Sequence, residues 1–289
     1  MDRANRLDGT TAPFRPEQAA QCGDIAPARR PAGCGIAVMA KASTPGLTKT
    51  RLVPPLTYDD AAALNTTFLQ DVTDNIVLAG SRAAPHAGIA GYAAYGPPGS
   101  QEFFRRNFPA SLGLIEAWLP NFGDCLHHTI CAVFERGHAA AVVLNADSPT
   151  LPTALLNETA EALARPGDRA VLGPSSDGGY YLLGLKAEHR RMFEDIAWST
   201  ASVAEQTCER AREIGLDVHL LREWYDVDDV ETLRRVYGEL CESKPTIGHT
   251  DLGAPYLARH TASLLGRLWP QGDFGRRVED VTQIEKAPV

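Results

Sequence analysis

No stretch of this chain approaches the roughly 18 consecutive apolar residues that a membrane-spanning helix needs. Its first residues, rich in Ala, Pro, Arg, Gly and Gln, contain no apolar core of a secretory signal. These absences argue against a spanning or conventionally secreted protein and predict a cytoplasmic one. Cysteine is sparse: Cys22, Cys34, Cys125, Cys131, Cys208 and Cys241 are widely spread, with no CxxC pair and no metal-ligand spacing shared with histidine. They read as free thiols in a reducing compartment. Nor is there a surplus of positive charge. A formal net charge of -8, with the acids scattered rather than blocked, argues against a surface that neutralises nucleic-acid phosphates or anionic lipid. Any phosphate must therefore be met locally. Two phosphate-binding signatures are missing as well: Gly46 stands three residues before Lys49, so there is no Walker A loop, and Gly33-Cys34-Gly35 precedes the first strand instead of following it.

What is present is enough apolar material, 44% of 289 residues, for one catalytic-size domain with tails. Residues 1–33 lack a hydrophobic period and read as a disordered leader. Residues 34–240 alternate strand and helix, and 241–289 hold one more amphipathic helix near 251–269 and a tail. The apolar run from Ile36 to Met39 predicts a buried first strand. Thr57 with Asp60 three residues on predicts a capped helix, with Ala61, Leu64, Phe68, Val72 and Ile76 on its buried face. Further strands are expected at 88–95, 113–119, 139–144, 169–173, 180–185 and 217–221, with helices near 123–136, from Pro152, 201–214 and 228–240. The continuous run Ala139 to Leu144 suits burial on both faces of a parallel sheet. Repeated strand-helix units predict an α/β fold, a mostly parallel open sheet with helices on both faces.

Ligands of such sheets sit beyond the carboxyl ends of the strands. The loop after the first strand carries Lys41, Gly46, Lys49, Thr50 and Arg51, cations and amides able to hold phosphates, or else a solvated basic loop. The segment Asn145-Ala146-Asp147-Ser148-Pro149 ends the most apolar strand. Asp147 either caps the next turn or binds magnesium or manganese, hard cations that take carboxylate oxygens and substrate phosphates. In Ser176-Asp177-Gly178-Gly179 the glycines permit close backbone approach, and Asp177 could bind sugar hydroxyls or assist proton transfer, although a tight turn explains the triplet equally well. In Trp224-Tyr225-Asp226-Val227-Asp228-Asp229, either Asp228 or Asp229 makes an ordinary helix cap, whereas Asp226 is less easily explained that way.

The segments KASTPGLTKTRL, LNADSPTLP, GPSSDGGYYLLGL, WSTASVAEQT and WYDVDD occur in the order seen in a bacterial family of nucleotide-diphospho-sugar transferase-like proteins, labelled glycosyltransferase and associated with radical-SAM gene neighbourhoods. Over residues 35–240 the chain resembles that family, which is related to glycosyltransferases of the GT-A fold and to phospholactate guanylyltransferases and molybdopterin-guanine transferases. The resemblance implies a GT-A sheet with one antiparallel strand near its far edge. It implies that Lys41, Lys49 and Arg51 contact nucleotide phosphates and that Asp147 and Asp226 hold the divalent metal. It also implies that Asp177, Gly178 and Gly179 lie near the donor sugar or acceptor, with Trp198, Ser199 and Thr200 in sugar or acceptor binding. Two positions depart from the family pattern. Cys125 stands where arginine is expected, and Asn145 stands where Gly or Ser is usual, offering an added amide ligand or hydrogen bond.

The function expected is a metal-dependent glycosyltransferase using a nucleotide sugar and a small-molecule acceptor. The alternative is a nucleotidyltransferase that joins a nucleoside triphosphate to a phosphate substrate and releases pyrophosphate. A third reading, nucleotide binding without catalysis, rests on Cys125 and is opposed by the three acids Asp147, Asp177 and Asp226.

Overall fold

A computed structural model describes residues 33–83, 88–242, 253–270, 274–276 and 278. All of them belong to one compact unit. The expected leader lies outside the described residues except for Gly33, as does much of the tail.

Seven strands form one sheet: β1 (Cys34–Lys41), β2 (Ile89–Gly96), β3 (Gly113–Glu116), β4 (Ala140–Leu144), β5 (Ala170–Pro174), β6 (Tyr180–Leu185) and β7 (Val218–Leu220). Their order is β3-β2-β1-β4-β6-β5-β7. The one antiparallel strand is β6, which opposes both β4 and β5 while the remaining pairings are parallel. It lies fifth of seven, two strands in from the far edge. The helices are α1 (Tyr58–Arg82), α2 (Gln101–Asn107), α3 (Phe122–Glu135), α4 (Thr153–Ala164), α5 (Val203–Glu213), α6 (Val230–Tyr237) and α7 (Arg259–Leu268). None is long and apolar enough to cross a membrane.

Strand pleating divides the apolar residues between two layers. Ile36 and Val38 of β1 with Val142 and Leu144 of β4 face the side covered by α1 and α4, while Ala37, Ala141 and Val143 face α3 and α5. The apolar runs in β1 and β4 arise because both faces are buried. Helix α1 starts at the capping box foreseen in the sequence: Asp60 N–H donates to Thr57 Oγ1 at 3.1 Å and Thr57 N–H returns to Asp60 Oδ2 at 3.4 Å. Leu64 and Phe68 of α1 also meet Leu233 of α6 and Leu264 and Leu265 of α7 in a third apolar cluster. The carboxylate of Asp71, buried in α1, accepts the His260 and Thr261 amides at 3.0 and 2.8 Å. These are free donors at the start of α7, so the carboxylate fixes where that helix docks. The C-terminal helix is thus shorter than the 251–269 span expected and shares a core with α1 and α6.

Gly173 shows how tightly β5 and β6 meet: a Cβ there would fall 2.3 Å from Cζ of the fully buried Tyr181, whose hydroxyl donates to Arg222 O at 2.8 Å. Gly173→Ala is expected to lower stability by about 1–3 kcal/mol, the usual cost of overpacking a closed core. Urea unfolding measures it, and an unchanged midpoint would contradict this packing.

Candidate active site

The chain runs outward from β1 through β2 to β3, then returns to the other side of β1 with β4. Ligands collect at such a reversal of strand order. There the loop after β1 meets the loop after β4 in a cleft of about 650 Å³. Lys49, in the left-handed conformation at φ 51°, precedes a 3-10 turn at Thr50–Leu52 and turns its side chain inward. Its ammonium lies 2.9 Å from Asp147 Oδ1 and 2.9 Å from Asp228 Oδ1, and donates to Val227 O at 2.6 Å. The Lys49 side chain is only 6% exposed. Burial alone would lower its proton affinity, but the two carboxylates more than reverse that and hold it above the ordinary lysine value.

Asp228 is the residue the sequence reading passed over. Asp229 caps α6 in a box with Thr232, whose amide donates to Asp229 Oδ1 at 2.8 Å. That leaves Asp228 free to face the cleft. The strip from Trp224 to Asp228 is pinned beside its neighbours, since Trp224 N–H donates to Pro174 O at 3.1 Å and Val227 N–H to Asp147 O at 2.9 Å. Asp226 also lines the cleft, but its Oδ1 accepts from Ser175 Oγ at 2.8 Å. The carboxylate that shares the Lys49 ammonium with Asp147 is Asp228, while Asp226 stands in the same cleft. Desolvation, then repulsion from Asp177 and Asp228, pushes Asp226 up to about 6.

Of the other expected residues, Lys41, Thr50, Arg51, Asp177, Gly179, Trp198, Ser199 and Thr200 line the cleft. Gly46 and Gly178 are not in its wall and act through the backbone. Gly46 turns the loop at φ 77°, and Gly178, at φ 88°, has its would-be Cβ 2.0 Å from Ala201 O. Lys41 Nζ steadies the same loop by donating to Leu47 O at 2.7 Å, and the Arg51 side chain is 77% exposed. Asp177 Oδ1 accepts the Gly179 amide at 2.8 Å, the turn reading of this triplet, a bond that does not use its second oxygen. Trp198 packs edge-on against Phe122 with ring centres 5.3 Å apart. Cys125 is buried, takes the Leu119 amide on Sγ at 3.2 Å and is not in the cleft wall, where Phe122 and Leu126 stand. Asn145 does line it. Its Nδ2 reaches Ser148 Oγ at 3.2 Å, while its buried Oδ1 has no partner.

The site thus combines an oxygen-rich floor of Asp147, Asp228 and Asn145 with a cationic lip and an aromatic wall on a sheet of nucleotide-diphospho-sugar transferase type. A family profile described as an uncharacterized protein conserved in bacteria (DUF2064) matches residues 78–200. A Desulfovibrio desulfuricans G20 structure described as a candidate nucleotide-diphospho-sugar transferase is 28% identical, with a TM-score of 0.65 over 81% of this chain and 97% of its own. CMP:2-keto-3-deoxy-manno-octonic acid synthetase complexed with CTP is 11% identical, with a TM-score of 0.47 over 73% and 99%. Rv0371c of Mycobacterium tuberculosis H37Rv in complex with manganese is 17% identical, with a TM-score of 0.38 over 70% and 96%. No curated protein matches the sequence. The fold of this chain is that of the nucleotide-diphospho-sugar transferases.

Because the folded-state value of Asp226 lies above its unfolded one, the charged form costs stability. That cost is absent below about pH 4 and grows as pH rises toward 6. Asp226→Asn keeps an acceptor for Ser175 and removes the charge. It is expected to raise the Tm of the metal-free protein by roughly 2–4 °C at pH 8, with the gain fading below pH 5. Differential scanning calorimetry at the two pH values decides, and a gain equal at both would show that the charge is not the cause.

Proposed function

We propose that this protein is a metal-dependent transferase acting on a nucleotide-activated sugar, with magnesium or manganese held by Asp147 and Asp228 and assisted by Asn145. The observation that carries the proposal is the convergence of Asp147 and Asp228 on one ammonium at the strand-order reversal, beside an unpartnered amide oxygen. Two carboxylates and a carbonyl are the donors a hard divalent cation takes. When bound, such an ion neutralises charge on the phosphates of the leaving group.

The chain's own residues divide the remaining work. Lys41, Thr50 and Arg51 meet the nucleotide phosphates from the lip of the cleft with charge-assisted hydrogen bonds. Trp198, Ser199, Thr200 and Gly179 receive the sugar or the acceptor. Asp177, held by the Gly179 amide, keeps one oxygen to accept the proton of an acceptor hydroxyl. Lys49 balances the two carboxylates and would add a second positive charge in the cleft beside a bound cation. One observation favours a second reading, nucleotidyl transfer: Asp177 is already engaged in its turn, and an anionic phosphate nucleophile needs no base.

The experiment is product analysis with a panel of nucleotide sugars and nucleoside triphosphates plus manganese. Release of nucleoside diphosphate, its loss in chelator, and folded but inactive Asp147→Asn and Asp228→Asn variants are expected. Asp177→Asn should slow glycosyl transfer roughly a hundredfold or more, within the general-base range. Pyrophosphate release with little effect of Asp177→Asn supports the second reading, and full activity in excess chelator removes both.

A further inference from the structure

Away from the cleft, α3 carries His127 and Cys131 four residues apart on one face. Glu188, in the loop after β6, reaches the same point. His127 Nε2 lies 3.0 Å from Glu188 Oε1 and 3.5 Å from Cys131 Sγ, and the ligand atoms of the three residues fall within 4.8 Å of one another. An ion pair between histidine and glutamate accounts for the first distance only. Cys131 Sγ lies 4.0 Å from Nδ1 as well, so the thiol stands beside the ring while the carboxylate meets Nε2.

We propose that His127, Cys131 and Glu188 form a second cation site, for a borderline divalent transition ion of the zinc class. A tetrahedral ion bound at about 2.0–2.3 Å holds its ligand atoms about 3.3–3.8 Å apart, close to the two measured separations, and binding would turn the Cys131 side chain to bring Sγ in front of Nε2. The nitrogen, sulfur and oxygen set selects such an ion over the hard cations suited to the all-oxygen floor of the cleft. The His127 ring packs against Phe193 at 5.7 Å and its side chain is 13% exposed, whereas that of Glu188 is 59% exposed. The site is closed on the protein side and open outward, leaving a fourth position for water. On binding, the Cys131 thiol releases its proton to solvent, neutral His127 donates its Nε2 lone pair, and the thiolate and carboxylate together balance the two positive charges. The ion would tie the loop after β6 to α3, whose first two turns carry Phe122 and Leu126 of the cleft wall.

The test is titration of the tag-free, metal-stripped full chain with cobalt(II), followed by absorption and competition with zinc. One equivalent should give a near-ultraviolet sulfur-to-cobalt charge-transfer band, which the all-oxygen cleft cannot produce. The band should vanish in Cys131→Ser and His127→Gln, persist in Asp147→Asn, and need roughly tenfold or more cobalt in Glu188→Gln, whose exposed side chain leaves folding unaffected. No band in the unaltered chain, a band surviving Cys131→Ser, or one lost in Asp147→Asn overturns the proposal.

Discussion

A buried ammonium held between two carboxylates organises this cleft. Lys49 is almost wholly out of water, and an unpaired charge there would cost far more than a domain can spare. It is tolerated because Asp147 and Asp228 both accept from it and Val227 O supplies a third acceptor. The converse holds as well. Asp147, Asp177, Asp226 and Asp228 line one pocket, and Lys49 is the cation buried among them. To place it there, Lys49 adopts the left-handed backbone region, which costs a non-glycine residue roughly 1–2 kcal/mol.

The topology explains why these three residues meet. The loops after β1 and β4 separate where the strand order reverses, which delivers Lys49 and Asp147. Asp228 arrives from much later in the chain, through a strip that follows β7. Backbone bonds from that strip to Pro174 and Asp147 fix its position, and the Asp229 cap starts α6 one residue beyond. The base of α6 packs through Leu233 and Val236 in the apolar cluster shared with α1 and α7, so the position of Asp228 depends on that core. The antiparallel β6 lets the Asp177 turn, between β5 and β6, lie at the same end of the sheet as the loops after β1 and β4.

Much of this was legible in the residues. The apolar runs of β1 and β4, the Thr57–Asp60 cap and the apolar stripe of α1 are local patterns whose cause lies within a few residues, and the structure has them where the sequence placed them. The cationic loop and Asp147 followed from their place after buried strands. What escaped depended on partners distant in sequence. Asp228 and Asp229 were equal cap candidates until Thr232 decided between them, a signal present three residues after Asp229 but read too loosely. Lys49 looked like a free phosphate ligand because nothing local announced two carboxylates 98 and 179 residues away. Cys125 looked like a lost cation in the cleft, yet its side chain turns to the Leu119 backbone.

The central claim is that Lys49 holds the place of positive charge between Asp147 and Asp228 until a divalent cation joins them. Thermal unfolding of Lys49→Met, with and without manganese, tests it most directly, because methionine keeps a similar volume and removes the charge with its hydrogen bonds. Without metal, the variant should melt roughly 5 °C or more below the unaltered protein, since two carboxylates lose their partner. Manganese should then raise its Tm more than it raises that of the unaltered protein, by binding the native state where the ammonium no longer competes. An equal manganese effect on both proteins, or a metal-free variant as stable as the unaltered chain, would contradict the account.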